Sequence, residues 1–171
     1  PRAIGGCFVH QRHATNTELP RFGGWWGNDP KVRYRMHLED RFVPVASADA
    51  RQLSNPTELA LAPLRASLDL FDEAGMAALR AKSERLTAYL EAWVDHASDD
   101  CEILTPRDPA RRGAQLSLFV KHGSLETFEQ LQRAGVVADY RRPDVIRVAP
   151  APLYNSFHDV WRFGRALEAL S

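Results

Sequence analysis

Three groups of residues in this 171-residue sequence have types and spacings that could do chemistry. Arg147 interrupts Val145-Ile146-Arg147-Val148-Ala149, a stretch that otherwise calls for burial. A guanidinium held there must find an anionic partner or bear about several kcal/mol of desolvation. Its planar fork suits a carboxylate taken bidentately. Read from spacing alone, it is an edge-strand arginine paired with Asp139 or Asp144. The second group is Gly23-Gly24-Trp25-Trp26-Gly27-Asn28-Asp29, a poor helix and a poor buried strand, because glycine costs backbone entropy and adjacent indoles point to opposite sides. It predicts a loop presenting flat aromatic surface, in which Trp25 is either a packing anchor or a ligand contact. Asn55 reads as a helix cap, a position compatible with phosphate because the free amides of a helix start attract anions. The third group, Cys7, His10 and His13, has the spacing of a metal run. An extended segment would send Cys7 and His10 to opposite faces, and no fourth ligand lies nearby, so no metal site is expected. Asp29, Asp95, Asp99 and Asp100 read as ordinary solvated carboxylates. No nucleophile elbow, phosphate-cradling glycine loop or zinc-protease motif is present.

The elements that must position these residues follow from periodicity and caps. Ala3 to His10 fits a short buried strand, and His13 to Met36 a long loop of the kind that is usually functional. Asn55-Pro56-Thr57-Glu58 predicts a helix start, with Asn55 as cap, Pro56 at the first helical position and Glu58 at the third. Leu64, Leu68 and Phe71 continue it at helical spacing, and Pro63 either kinks it or begins a second helix. Met76, Leu79, Leu86, Leu90 and Trp93 form one apolar stripe, predicting a long helix from Ala74 to about Ala97 that leans on a sheet. Strands are predicted over Glu102 to Thr105, Gln115 to Lys121, Val136 to Tyr140 and Val145 to Ala149. Between the middle pair, Ser124 should cap a helix carrying Leu125, Phe128 and Leu131 and stopped by Gly135. Ser156 with Asp159 starts a last helix through Val160, Trp161, Phe163 and Leu167. The order is strand, strand, helix, strand, strand, helix, an α/β chain whose end is a small α+β domain of helices on a sheet.

Composition narrows the field. With 44% hydrophobic residues the chain can bury one ordinary core or a core plus an appendage. Its 22 basic and 22 acidic residues balance without blocks of like charge, so neither nucleic acid nor an anionic membrane is an expected partner. Cys7 and Cys101 lack a partner spacing and no run approaches a membrane span, so a reducing, cytoplasmic setting is the expectation. The chain opens at Pro1 without a methionine and moves straight into apolar sequence, which reads as a piece of a longer protein.

Taken together, the tryptophan run, Tyr34-Arg35-Met36, Ser54-Asn55-Pro56, Ile146-Arg147-Val148-Ala149-Pro150 and Leu153-Tyr154-Asn155-Ser156-Phe157-His158-Asp159-Val160 resemble the kynureninases, in this order and over nearly the whole chain. These are pyridoxal 5'-phosphate enzymes of fold type I, aminotransferase-like, that hydrolyse kynurenine or 3-hydroxykynurenine to anthranilate or 3-hydroxyanthranilate and alanine, in tryptophan catabolism and NAD biosynthesis. The resemblance implies that Arg147 grips the substrate α-carboxylate. It implies that Trp25 and Asn55 help hold the cofactor across a homodimer interface, and that Trp26 and Tyr34 lie near the substrate's aromatic ring. Asn28 stands where many members have histidine, which removes an ionisable group from that substrate-side position. It divides the chain into the tail of a large cofactor-binding domain over 1–55, linking helices over 56–97 and a small C-terminal domain over 98–171. A pyridoxal enzyme needs a Schiff-base lysine. Of Lys31, Lys82 and Lys121 none stands in a suitable motif, so the resemblance places that lysine just upstream of Pro1. The piece is then expected to be inactive alone and to seek the N-terminal large-domain half. The competing reading is a non-catalytic α+β ligand-binding or dimerisation module.

Overall fold

The computed structural model describes residues 4–16 and 18–170, and the chain divides into two compact units, Pro1–Asp69 and Leu70–Ser171. In the first unit little regular structure forms. The strand expected from Ala3 to His10 is absent over residues 4–10, and Ala3 and Pro1 lie outside the described residues. A strand needs a neighbour to take its backbone hydrogen bonds, and the described chain supplies none here, leaving Phe8 88% exposed. His10 instead caps the four-residue helix α1 (Gln11–Ala14), its Nδ1 accepting from the Arg12 amide at 3.2 Å. Beyond α1, which takes in His13 and Ala14, the described residues of the loop expected from His13 to Met36 are irregular apart from 3₁₀ turns at Trp25–Gly27 and Arg33–Leu38. A third such turn covers Ala48–Arg51.

Helix α2 (Glu58–Ala74) starts later than Asn55-Pro56 predicts. The first helical bonds run from the Ala60 and Leu61 amides to the Thr57 carbonyl, each at 3.0 Å, so Thr57 occupies the cap position. Asn55 therefore remains outside the helix and exposed, and Glu58 is its first residue rather than its third. The helix continues through Pro63.

The second unit is the α+β layer that the element order implied. Its four strands, β1 (Cys101–Ile103), β2 (Leu116–Val120), β3 (Asp139–Arg141) and β4 (Val145–Val148), form one antiparallel sheet in the order β1-β2-β4-β3. Leu116, Leu118 and Val120 of β2 and Ile146 and Val148 of β4 alternate onto one face, the period-two pattern of a half-buried sheet. That face meets Leu86, Leu90 and Val94 of α3 (Met76–Ala97) and Val160, Phe163 and Leu167 of α5 (Phe157–Glu168) in a single core. Helix α3 packs against α5 as well as β1, and Gly164 of α5 makes room for the Trp93 indole. A Cβ at Gly164 would lie 2.2 Å from the indole Cδ2.

Several local expectations shift. Met76 and Leu125 of the two apolar stripes are exposed, and β3 begins at Asp139 rather than Val136. Helix α4 (Ser124–Arg133) is preceded by Gly123 in the left-handed region at φ 61, so Ser124 is its first residue and not its cap. The Ser124 hydroxyl is drawn away to Asp144 at 2.8 Å and Tyr140 at 3.0 Å. Gly135, at φ 85, does end the helix: its amide bonds the Gln132 carbonyl and that of Val136 bonds the Leu131 carbonyl, a Schellman closure. At α5 the expected Ser156–Asp159 capping box forms in both directions.

Candidate functional site

In the first unit the aromatic loop is built by close backbone approach. A Cβ at Gly24 would lie 2.2 Å from the Leu53 carbonyl oxygen, and one at Gly27 2.7 Å from that of Ala50. The glycines thus let the loop lie directly on the 50–53 segment, a contact no other residue allows. Trp25 and Trp26, both half-buried, meet edge-on at 5.1 Å, and Trp25 faces the Tyr34 ring at 6.0 Å. The Arg33 guanidinium lies 4.6 Å from the centre of the Trp26 ring, within cation–π range. Tyr34 is 73% exposed. Asn28 is buried beneath them. Its Nδ2 donates to the Gly24 and Trp25 carbonyls, both at 3.3 Å, and its Oδ1 accepts from the Val43 amide at 3.4 Å. That carboxamide ties two stretches of the loop together, with both Nδ2 hydrogens engaged.

The Trp25 indole Nε1 donates to Ser54 Oγ at 3.3 Å, which brings the residue before Asn55 to the edge of the tryptophan pair. An indole N–H, a hydroxyl and an exposed carboxamide are neutral donors of the kind that fit the phosphate end of a pyridoxal cofactor. The other end of that group finds no lysine prepared for it here. Lys82 Nζ donates to the Pro152 carbonyl at 2.7 Å, Lys121 Nζ to that of Asp99 at 2.6 Å, and Lys31 is exposed after Asp29.

In the second unit Arg147 lies on β4, an interior strand, and not on an edge as the spacing suggested. Its neighbours across the ladder are Ser117 and Asp139, on the sheet face away from the core. The anionic partner its position requires is Asp139: Nε donates to Asp139 Oδ2 at 2.5 Å, and Nη2 contacts the same oxygen. Arg141 Nε reaches that oxygen too, at 2.9 Å. Desolvation pushes the Asp139 carboxyl up, but hydrogen bonds and charge from Arg147 and Arg141 outweigh it and hold the group below the ordinary carboxylate range. Nη1 of Arg147 has no hydrogen-bond partner among the described residues, and the side chain is 32% exposed.

Residues 79–167 match the sequence pattern of the family described as "Kynureninase C-terminal domain". The chain belongs to the kynureninase family. It is 56% identical over 173 residues to a kynureninase of Xanthomonas oryzae pv. oryzae, covering 99% of this chain and 40% of the relative. To that of Myxococcus xanthus it is 54% identical over 169 residues, covering 98% and 39%. The chain thus spans about 40% of the length of the curated relatives it matches. Among solved structures it is similar to a lysine-to-alanine mutant of C-DES with glycine covalently linked to its PLP cofactor. The TM-score is 0.58 at 16% identity, over 85% of this chain and 37% of that one. The fold is therefore that of a portion of a fold-type I pyridoxal-phosphate enzyme with an α+β small domain, as the family resemblance implied.

Sequence reasoning missed a second charge cluster of the small domain. Arg112, its side chain almost fully buried, bonds both oxygens of Glu91, with Nη2 to Oε2 at 2.7 Å. Arg107 grips Asp95 bidentately at 2.6 and 2.8 Å. Asp95 is therefore not a free solvated carboxylate, and neither is Asp100, which accepts from His122 Nδ1 at 2.6 Å. The Arg107 and Arg112 contacts pin the β1–β2 connection onto α3, and the His122 contact ties the segment just after β2 to the residue before β1; their sequence separations of 12 to 22 residues follow no helical or strand period that would have revealed them.

Proposed function

We propose that the chain is the C-terminal part of a kynureninase that hydrolyses L-kynurenine, or 3-hydroxykynurenine, to anthranilate or its 3-hydroxy form and L-alanine. This places it in tryptophan catabolism and NAD biosynthesis in the cytoplasm, with kynurenine as substrate and a homodimer as the working assembly. Residues 1–55 would complete the large cofactor-binding domain, 56–97 link the domains and 98–171 form the small one. The observation that carries this reading in the chain itself is Arg147, a guanidinium fixed along one edge by Asp139 with Nη1 left for an incoming carboxylate. Family membership supports it, and the non-catalytic module has no comparable support.

Bound pyridoxal phosphate would supply an electron sink for cleavage of the Cβ–Cγ bond. Trp25 and Asn55 would hold its phosphate through neutral donors, assisted by the Ser54 hydroxyl that already meets the indole. Arg147 would take the α-carboxylate and so orient the labile bonds. Trp26 and Tyr34 would offer aromatic surface to the substrate ring, with Asn28 beneath them holding the loop in shape. With no lysine in a suitable place, this piece alone is inactive and works only with the N-terminal half of the enzyme.

The test is Arg147→Ala in the complete enzyme. KM should rise sharply and kcat/KM fall by about 2–4 kcal/mol, the loss of one charge-assisted contact. Unchanged kinetics would reject the role.

A further inference from the structure

The geometry points to Asp139 as the positioning residue for the substrate-binding guanidinium, holding the Nε/Nη2 edge of Arg147 so that its Nη1/Nη2 edge faces an incoming carboxylate. This rests on the reading of Arg147 as the carboxylate's partner and says what makes that arginine competent.

A guanidinium has two edges able to take a carboxylate, one formed by Nε and Nη2, the other by Nη1 and Nη2. Asp139 Oδ2 occupies the first, with Nε at 2.5 Å and Nη2 on the same oxygen. The second edge retains Nη1, which has no hydrogen-bond partner among the described residues, and the outward N–H of Nη2. An arginine side chain is long and loses much rotamer freedom when it is ordered at the moment of binding. Here the ordering is already done, because Asp139 sits directly across the ladder from Arg147 and both belong to strands of one sheet. Charge fits as well. Asp139 lies between Arg141 and Arg147, and the three side chains sum to one positive charge, the complement of a single carboxylate. Asp139 touches no reacting atom; it acts through Arg147.

The experiment is a double-mutant cycle in the intact holoenzyme, with Asp139→Ala, Arg147→Ala and the pair, read as KM and kcat for kynurenine. Asp139→Ala is expected to raise KM on the order of ten- to a hundredfold, with kcat within about threefold, as misplacement of a binding group does. Asp139→Asn, which keeps an oxygen to accept from Nε, should recover most of that loss. In the Arg147→Ala background, Asp139→Ala should change nothing further. The proposal is overturned if Asp139→Ala leaves KM unaltered, or if its full effect persists without Arg147. Those results leave the carboxylate assignment standing provided Arg147→Ala still raises KM; a silent Arg147→Ala defeats that assignment itself, and this inference with it. Thermal melting accompanies each variant. If Asp139→Ala melts early, Asp139→Ser replaces it in the same cycle, where a raised KM that vanishes without Arg147 supports the proposal and an unaltered KM overturns it.

Discussion

Gly24→Ala separates the aromatic loop's construction from its chemistry. The added Cβ would stand 2.2 Å from the Leu53 oxygen, 2.4 Å from its Cα and 2.6 Å from its carbonyl carbon. All three are backbone atoms, so no side chain can rotate away. Reaching ordinary contact requires the two segments to part by roughly 1 Å, and forced overpacking of this kind costs about 1–3 kcal/mol. With only backbone to yield, the upper end, about 3 kcal/mol, is expected. Gly23→Ala is the control. Its Cβ would meet Phe42 Cγ at 3.7 Å, ordinary contact, at the neighbouring position of the same loop.

The loop is tied by the Asp29 amide to the Val43 carbonyl at 2.8 Å and by the Val45 amide to the Gly27 carbonyl at 3.0 Å. Hydrogen exchange at those two amides reports its opening. In the intact protein Gly24→Ala should speed their exchange on the order of a hundredfold, 3 kcal/mol expressed as a ratio, whereas Gly23→Ala should leave them within about threefold of the parent. Trp25, which loses its hold on Ser54 Oγ, should shift its fluorescence in the first variant alone. Equal exchange in the two variants would refute the close approach as the loop's construction.

Gly164→Ala drives a Cβ into the Trp93 ring at 2.2 Å, and α5 must move off α3. We expect a loss of about 2–3 kcal/mol in urea unfolding of the small domain, recovered in part by Trp93→Leu on the same background. The Asp95 carboxyl is held below its usual range by hydrogen bonds from Arg107, desolvation opposing and the Arg107 charge adding to them. Because its folded pKa is depressed, the pair's contribution is fully present above the ordinary aspartate value of about 3.9 and is lost as pH falls through the folded value. Asp95→Asn should therefore be less stable than the parent at pH 7, with the gap closing on acidification below the ordinary aspartate range; a gap that widens would contradict the sign.

The small domain was legible in large part because its signals are local. Alternation of Leu116, Leu118 and Val120, the stripe on α3, the Gly135 stop and the Ser156–Asp159 box each depend on residues a turn or a strand apart. The sequence pattern also singled out Arg147 and the glycine–tryptophan loop, since a charge in an apolar strand and paired indoles among glycines both break a local rule. Expectations failed where one local candidate competed with another. Gly123 displaced Ser124 as the cap of α4, and Thr57 displaced Asn55 at α2.

What the sequence determined by itself was the identity of the elements and of the unusual residues, because backbone propensity and side-chain period are read within a few positions. Only the tertiary structure decided that β4 is an interior strand, that Asp139 rather than Asp144 holds Arg147, and that Gly24 lies against Leu53. It also decided that residues 4–10 stay unpaired, since a strand exists only when another backbone takes its hydrogen bonds. Such pairings link residues distant in the chain, and their free energy depends on which surfaces meet, a quantity no single segment contains.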